Sequence, residues 1–384
     1  MCRKAQHRRL RALVALSVAA VVMTACSSNA PSAEVTPGGP IDSDVQAAFS
    51  AMTSEMPGVS VDLVQAAKKE GTVEYYHLAN PGNATMIAAF QKAFPFIKVQ
   101  EFEATGGGLV ERYQSEANAQ RVAADIFMGS STSDVDNWTD DGLVMDYKIS
   151  NDAKYPDAYK KSGYRYPTSY SMVGIGWNTN TAHLTDEQIA KFSTWEGLGD
   201  SGVLDDNQVG ILNIASGGIS QSAYYNITQE PYGDAVLSAL SRKPDLRIYG
   251  GSAPMGTALQ SGEIGLAAGM SDTSLYSAFN AGAPVKWVYP TPIAIAPYVQ
   301  FISQDAPHPS AAKLFQEFTF AKAGQQAFAS VSTPSFRDDV GNQQKVAKTD
   351  WYKAPANFPD VDYVKFGEDL PDLIDTWNKY FGGK

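Results

Sequence analysis

From Val61 onward the chain repeats one pattern: a short apolar run, a loop of Gly, Ser, Thr or Asn, then a helix-type stretch. Strands are expected over Thr72–Leu78, Phe96–Ala104, Ala124–Met128, Val209–Ala215, Leu246–Tyr249 and Ile264–Met270. Strands that alternate with helices pack as parallel sheets covered by helices, so the fold class is α/β. The stripe Leu63, Val64, Ala67 stops at Gly71, a helix-ending residue. Further helices are expected over Ala84–Phe94, after a turn at 79–83 broken by Pro81-Gly82, and from the opening Thr105-Gly106-Gly107-Gly108 to about Arg121. The last two start near Pro309 and near Asp369.

The pattern occurs in both halves of the body, and a chain of 384 residues exceeds what one core usually serves. Two lobes are therefore expected, with an interlobe cleft. One lobe takes 59–172 plus 298–384 and the other takes 173–297, joined by hinge strands at about 171–178 and 286–301.

Ligands of open α/β sheets sit beyond the carboxyl ends of the strands. Six loops occupy that position: 79–83, 105–108, 129–132, 216–222, 250–253 and 271–274. They hold no Arg or Lys and a single carboxylate, Asp272. Glycine lets a ligand approach the backbone, helix N-termini favour an anion, and hydroxyls add donors. The candidate ligand-binding residues are Asn80, Gly107, Gly108, Ser130, Ser131, Ser220, Gln221, Ser222, Tyr224, Tyr225 and Asp272. Asp272 is the expected partner of a cationic group on the ligand. Tyr224 and Tyr225 have two readings, stacking on a ligand or packing in the core. Asp272→Ala and Ser130→Ala are each expected to weaken binding and leave the fold intact.

The N-terminus carries Arg3, Lys4, Arg8, Arg9 and Arg11, an apolar run from Leu13 to Met23, then Met23-Thr24-Ala25-Cys26. That run suits a signal peptide (1–25) and is too short to span a bilayer comfortably. Small residues before a cysteine resemble the lipobox of bacterial lipoproteins, which implies acylation of Cys26 and a membrane anchor. Residues 26–58 are expected to be a lipidated flexible tether, given the small, polar and Pro/Gly-rich run at 27–45. The cysteines are Cys2 and Cys26, so a processed chain has no thiol for disulfides or catalysis. The net charge is −11, and losing five N-terminal cations and no acid lowers it to −16, which argues against nucleic acid as a partner.

Several stretches resemble the type II extracellular solute-binding proteins of ABC importers, in their iron(III)-type branch. They are Glu70 to Tyr76, Phe90 to Val99, Ala124-Asp125-Ile126-Phe127, Gly250 to Pro254, Ser261-Gly262-Glu263-Ile264, and Ala306-Pro307-His308-Pro309 with Ala311 to Phe315. The resemblance spans roughly 60–335. It implies a two-lobed periplasmic-binding-protein-like type II fold, capture of a small molecule without catalysis, delivery to a membrane permease, and an extracytoplasmic location. A monomer is expected, with no cofactor and no resident metal.

Relatives that bind bare ferric ion use a histidine in the first loop, a glutamate after the third strand and paired tyrosines after the Gly-Glu-Ile segment. Here those places hold Ala79 and Asn80, Ser130, and Met270-Ser271-Asp272-Thr273-Ser274, with Tyr276 alone nearby. Neutral donors suit a small organic anion or zwitterion of phosphonate, phosphate or carboxylate type. Ferric iron held with a synergistic anion is the alternative. A secreted serine hydrolase is the reading from another class. It would rest on Gly218-Ile219-Ser220-Gln221-Ser222, where Ser222 replaces the final glycine of a nucleophile elbow.

Overall fold

The computed structural model describes residues 40–104, 106–228, 233–331, 334–337, 339–340, 349, 351–352 and 363–383. The expected signal peptide and Cys26 lie outside them. Among the described residues the strands are β1 (Thr72–Leu78), β2 (Lys98–Ala104), β3 (Ile126–Gly129), β4 (Tyr166–Asn178), β5 (Val209–Leu212), β6 (Arg247–Tyr249), β7 (Leu266–Ser271), β8 (Val285–Val288) and β9 (Ile295–Ile302). Their order is β2-β1-β3-β9-β4-β7-β5-β6, with β8 also beside β4. The expected parallel pairings are present: β1 with β2 and β3, and β5 with β6 and β7. Two longer strands run against them, β9 along β3 and β4 along β7.

β4 joins the two lobes. Its residues Tyr166–Met172 pair with β9, and from Val173 it pairs with β7 and β8. All thirteen of its residues are buried, and it begins earlier than the hinge strand expected at 171–178. The second expected hinge strand, 286–301, is two strands, because Pro290 and Pro292 between β8 and β9 have no N–H to give a ladder.

One apolar cluster gathers Val73, Tyr75, Phe90, Tyr113, Phe127, Trp138, Phe301 and Phe315; a second gathers Val173, Ile175, Trp195, Ile211, Tyr224 and Leu237. Tyr113, Phe127, Trp138 and Phe301 pack ring against ring in the first, with Tyr113 and Trp138 centroids 4.5 Å apart and Phe127 stacked on Phe301 at 5.2 Å.

Three expectations change. The tether does not reach residue 58, because Ser43–Met52 is helical and buries Val45 and Ala48 in the first cluster. The signal was present as Val45, Ala48, Phe49 and Met52, spaced i, i+3, i+4, i+7. Lys68 fastens this helix through Asp42 (2.8 Å) and Asp44 (2.7 Å). Second, Pro81 starts a helix (Pro81–Ala93) rather than breaking one, since proline at the first helical position gives up an N–H that has no partner there anyway. Third, the C-terminal helix Tyr363–Phe381 belongs to the second core. Its Leu370, Leu373, Trp377 and Phe381 pack with Ile227, Val236, Leu237 and Leu240.

At the amino-terminal edge of the first lobe's sheet, three of the resembling segments meet. Asp125 is fully buried and accepts from the N–H of Glu74 (2.8 Å) and of His308 (2.6 Å), while His308 Nδ1 lies 2.8 Å from its other oxygen. Glu70 accepts from the N–H groups of Ser310 (3.2 Å) and Ala311 (2.7 Å), capping the helix Pro309–Phe320. Gly71, at φ +71°, ends the helix Val61–Glu70 so that β1 can start at once.

Candidate functional site

At the opposite, carboxyl-terminal edge, loops of the two lobes touch. A β-carbon on Gly218 would stand 2.4 Å from the Ser130 carbonyl oxygen, and one on Gly106 would stand 3.4 Å from that of Ser216. Gly217 has φ +101° and lies against the Ser130 hydroxyl. This close approach needs glycine at 217 for its backbone and at 218 for space.

Beside that contact lies a cavity of about 210 Å³. Gly106, Gly107, Ser130, Ser131 and Asp134 wall it from one lobe, and Ala215, Gly217 and Gln221 from the other; Val110 and Phe127 supply apolar surface. Three helices start at it: Gly106–Asn118, Thr132–Asp140 with Ser131 as N-cap, and Gly218–Thr228. Their first N–H groups have no intrahelical acceptor. No Lys or Arg lines the cavity. Neutral donors at helix N-termini favour an anionic group beside them.

Gly107, Ser130, Ser131 and Gln221 thus line one cavity. The other candidates are placed elsewhere. Gly108 is exposed on its helix and outside the lining. Asn80 is buried, and its Oδ1 accepts from Gly82 N (2.8 Å) as the cap of the following helix. Ser220 is buried and donates to the carbonyls of Ile214 (3.1 Å) and Gly217 (2.9 Å). Ser222 is buried in the same helix.

Tyr224 and Tyr225 follow the packing alternative. The Tyr224 hydroxyl donates to Leu212 O, and its ring sits 6.3 Å from Trp377. Tyr225 donates to Asp369 (3.1 Å) and packs edge-on against Phe366 at 4.9 Å. The C-terminal helix has claimed both.

Asp272 corrects the expectation most. It is fully buried and accepts from Ser171 Oγ (2.6 Å) and Met172 N (3.1 Å), at the residue where β4 passes from one lobe to the other. It fastens the hinge strand, so its removal should cost stability as well as any binding. The neighbouring hydroxyls are likewise engaged: Ser271 N reaches Ser252 Oγ (3.4 Å), and Ser271 Oγ bonds Ser274 Oγ (3.0 Å) and lies 3.2 Å from Thr273 Oγ1. The loops 250–253 and 271–274 are thereby tied to each other. Close by, Tyr298 is pushed up to about 12 by burial, with the Asp272 carboxylate adding to the effect; Tyr170 and Tyr289 are raised for the same reasons. These phenols stay protonated at neutral pH.

The residue missed from sequence is Asp134, hidden two residues beyond the loop in the first turn of its helix. The only signal was its position one helical turn after Gly129-Ser130.

Ser220 offers nothing to a hydrolase. Its hydroxyl is bonded to two carbonyls, and no described histidine is bonded to it. Among the described residues no group of three or more His, Cys, Asp or Glu side chains is placed to hold a metal ion. No described helix is long and apolar enough to cross a membrane.

Two mixed sheets that share the strand β4, with a glycine- and serine-walled crevice between them, set the comparison with known proteins. Residues 123–366 match the sequence profile of the family described as bacterial extracellular solute-binding protein. The chain belongs to that family. Its members are extracellular proteins that bind a solute.

Solved structures similar to this solute-binding protein include the substrate-binding protein of the ABC transporter from Agrobacterium tumefaciens. It is 17% identical, with 80% of this chain and 94% of that one covered and a TM-score of 0.65. The ferric binding protein from Campylobacter jejuni is also 17% identical, covering 80% and 99% at a TM-score of 0.65. The periplasmic binding protein AfuA from Actinobacillus pleuropneumoniae, with fructose-6-phosphate bound, is 17% identical over 81% and 99% at 0.64. At this identity they share the two-lobed fold with it. Among curated proteins, none matches the sequence.

Proposed function

We propose that this solute-binding protein captures a small organic anion or zwitterion, of phosphonate, phosphate or carboxylate type, in the crevice between its lobes. The observation that carries the reading is the convergence of three helix N-termini, from both lobes, on one cavity without a cationic side chain. The ligand touches both lobes only when they meet, so binding shifts the chain toward the closed arrangement. The protein works as a monomer, held to the membrane by acylated Cys26, and passes its cargo to the permease.

Native mass spectrometry of freshly purified protein, followed by a thermal-shift panel of small anions, tests this. A bound small anion, or a rise in melting temperature with one, is the expected result. A chain that responds to no anion, but develops a visible tyrosinate charge-transfer band with ferric citrate, would replace this reading with ferric capture.

A further inference from the structure

Asp134 is half-buried, lines the cavity, and has no hydrogen-bond or ion-pair partner among the described residues. Asp136, two residues on, is different: it takes Arg165 in a two-pronged ion pair at 2.8 and 2.9 Å. Every other residue of the lining is uncharged. A carboxylate beside donors arranged for an anion would repel that anion unless a positive charge came with it. Asp134 sits in the first turn of its helix, beside the cavity. Among the described residues no cation lines the cavity, and the ligand is left to supply one.

We infer that Asp134 selects for a short zwitterion. The ligand's ammonium group faces Asp134, and its anionic group faces the helix N-termini and Ser130. This rests on the crevice reading given above. The volume of about 210 Å³ falls below the roughly 300–1,000 Å³ usual for drug-sized ligands. A two- or three-carbon spacing between the charges suits it.

The test is calorimetric titration of the protein with matched probes: 2-aminoethylphosphonate against ethylphosphonate, and β-alanine against propionate. The amine-bearing member should bind at least about tenfold more tightly, the margin of one charge-assisted pair. In Asp134→Asn that preference should fall to near parity while the melting temperature stays put, and Asp134→Glu should restore part of it. Equal binding of both members, or a preference that survives Asp134→Asn, overturns the assignment of Asp134 and leaves the anion crevice standing. Binding of neither member overturns both.

Discussion

The two edges of the first lobe's sheet use polar groups in opposite ways. At the amino-terminal edge, Asp125 and Glu70 are matched to specific N–H groups and to His308, and nothing is left over. At the carboxyl-terminal edge, Ser130, Ser131 and Gln221 face a cavity, and Asp134 has no protein partner among the described residues. The first edge is a closed brace; the second leaves hydroxyls and a carboxylate along an open cavity. Three of the segments that make the chain look like its family lie on the brace, which explains why the resemblance speaks for the fold more strongly than for the ligand.

The contrast can be broken most decisively at Asp125. Replacing it with Ala strands buried donors on Glu74 and His308, and should cost about 3–5 kcal/mol in urea unfolding. A loss under about 1 kcal/mol would mean that the brace is not what holds this edge. At the other edge, Gly218→Val places a branched side chain where even a β-carbon meets Ser130 O at 2.4 Å. The lobes should be held apart, seen as a larger radius of gyration in solution scattering, with stability reduced by about 1–3 kcal/mol, the usual cost of overpacking a buried position. An unchanged radius would show that the crevice closes some other way.

Asp272 tests whether a loop residue at the crevice edge can belong to the brace type. Asp272→Ala removes the acceptor for Ser171 Oγ and Met172 N and should destabilise the protein by about 2 kcal/mol, where sequence position alone suggested a pure binding defect.

Glu317 gives the smallest effect. Burial raises its carboxyl above the ordinary range, even though Ser150 and Tyr147 donate to it. A raised value in the folded state means that the native chain holds the proton longer than the unfolded one. Its contribution is therefore complete at pH below the unfolded value and declines as pH rises through the folded one. Relative to Glu317→Gln, the wild-type melting temperature should fall as pH is raised from about 4 upward, the usual range for a glutamate in an unfolded chain. A rise instead would mean that the donors outweigh burial.

Much of the architecture is legible in the sequence because short strands, Gly/Ser loops and helices follow one another in a fixed order. β1 ends where its apolar run ends, and Gly71 stops its helix as expected. The site is less legible. Gly107, Ser130 and Ser131 are open to reading because they stand just after strands, and Gln221 because it lies in the first turn of the helix that follows a Gly/Ser loop. Ser220, Tyr224, Tyr225 and Asp272 stand in comparable places, yet each is consumed within the protein: Ser220 by Ile214 and Gly217 and Tyr224 by Leu212 nearby, Tyr225 by Asp369 and Asp272 by Ser171 far away in sequence. A one-dimensional reading sees the donor and not the distant acceptor that satisfies it. Asp134 escaped for the complementary reason, since only the fold reveals that a helical residue looks into the crevice.

The helix that completes the second core comes from a distant part of the chain. Val236, Leu237 and Leu240 share that core with Leu370, Leu373, Trp377 and Phe381. Part of the second lobe is therefore closed by a long-range contact, whose loop-closure entropy must be met before the contact stabilises anything.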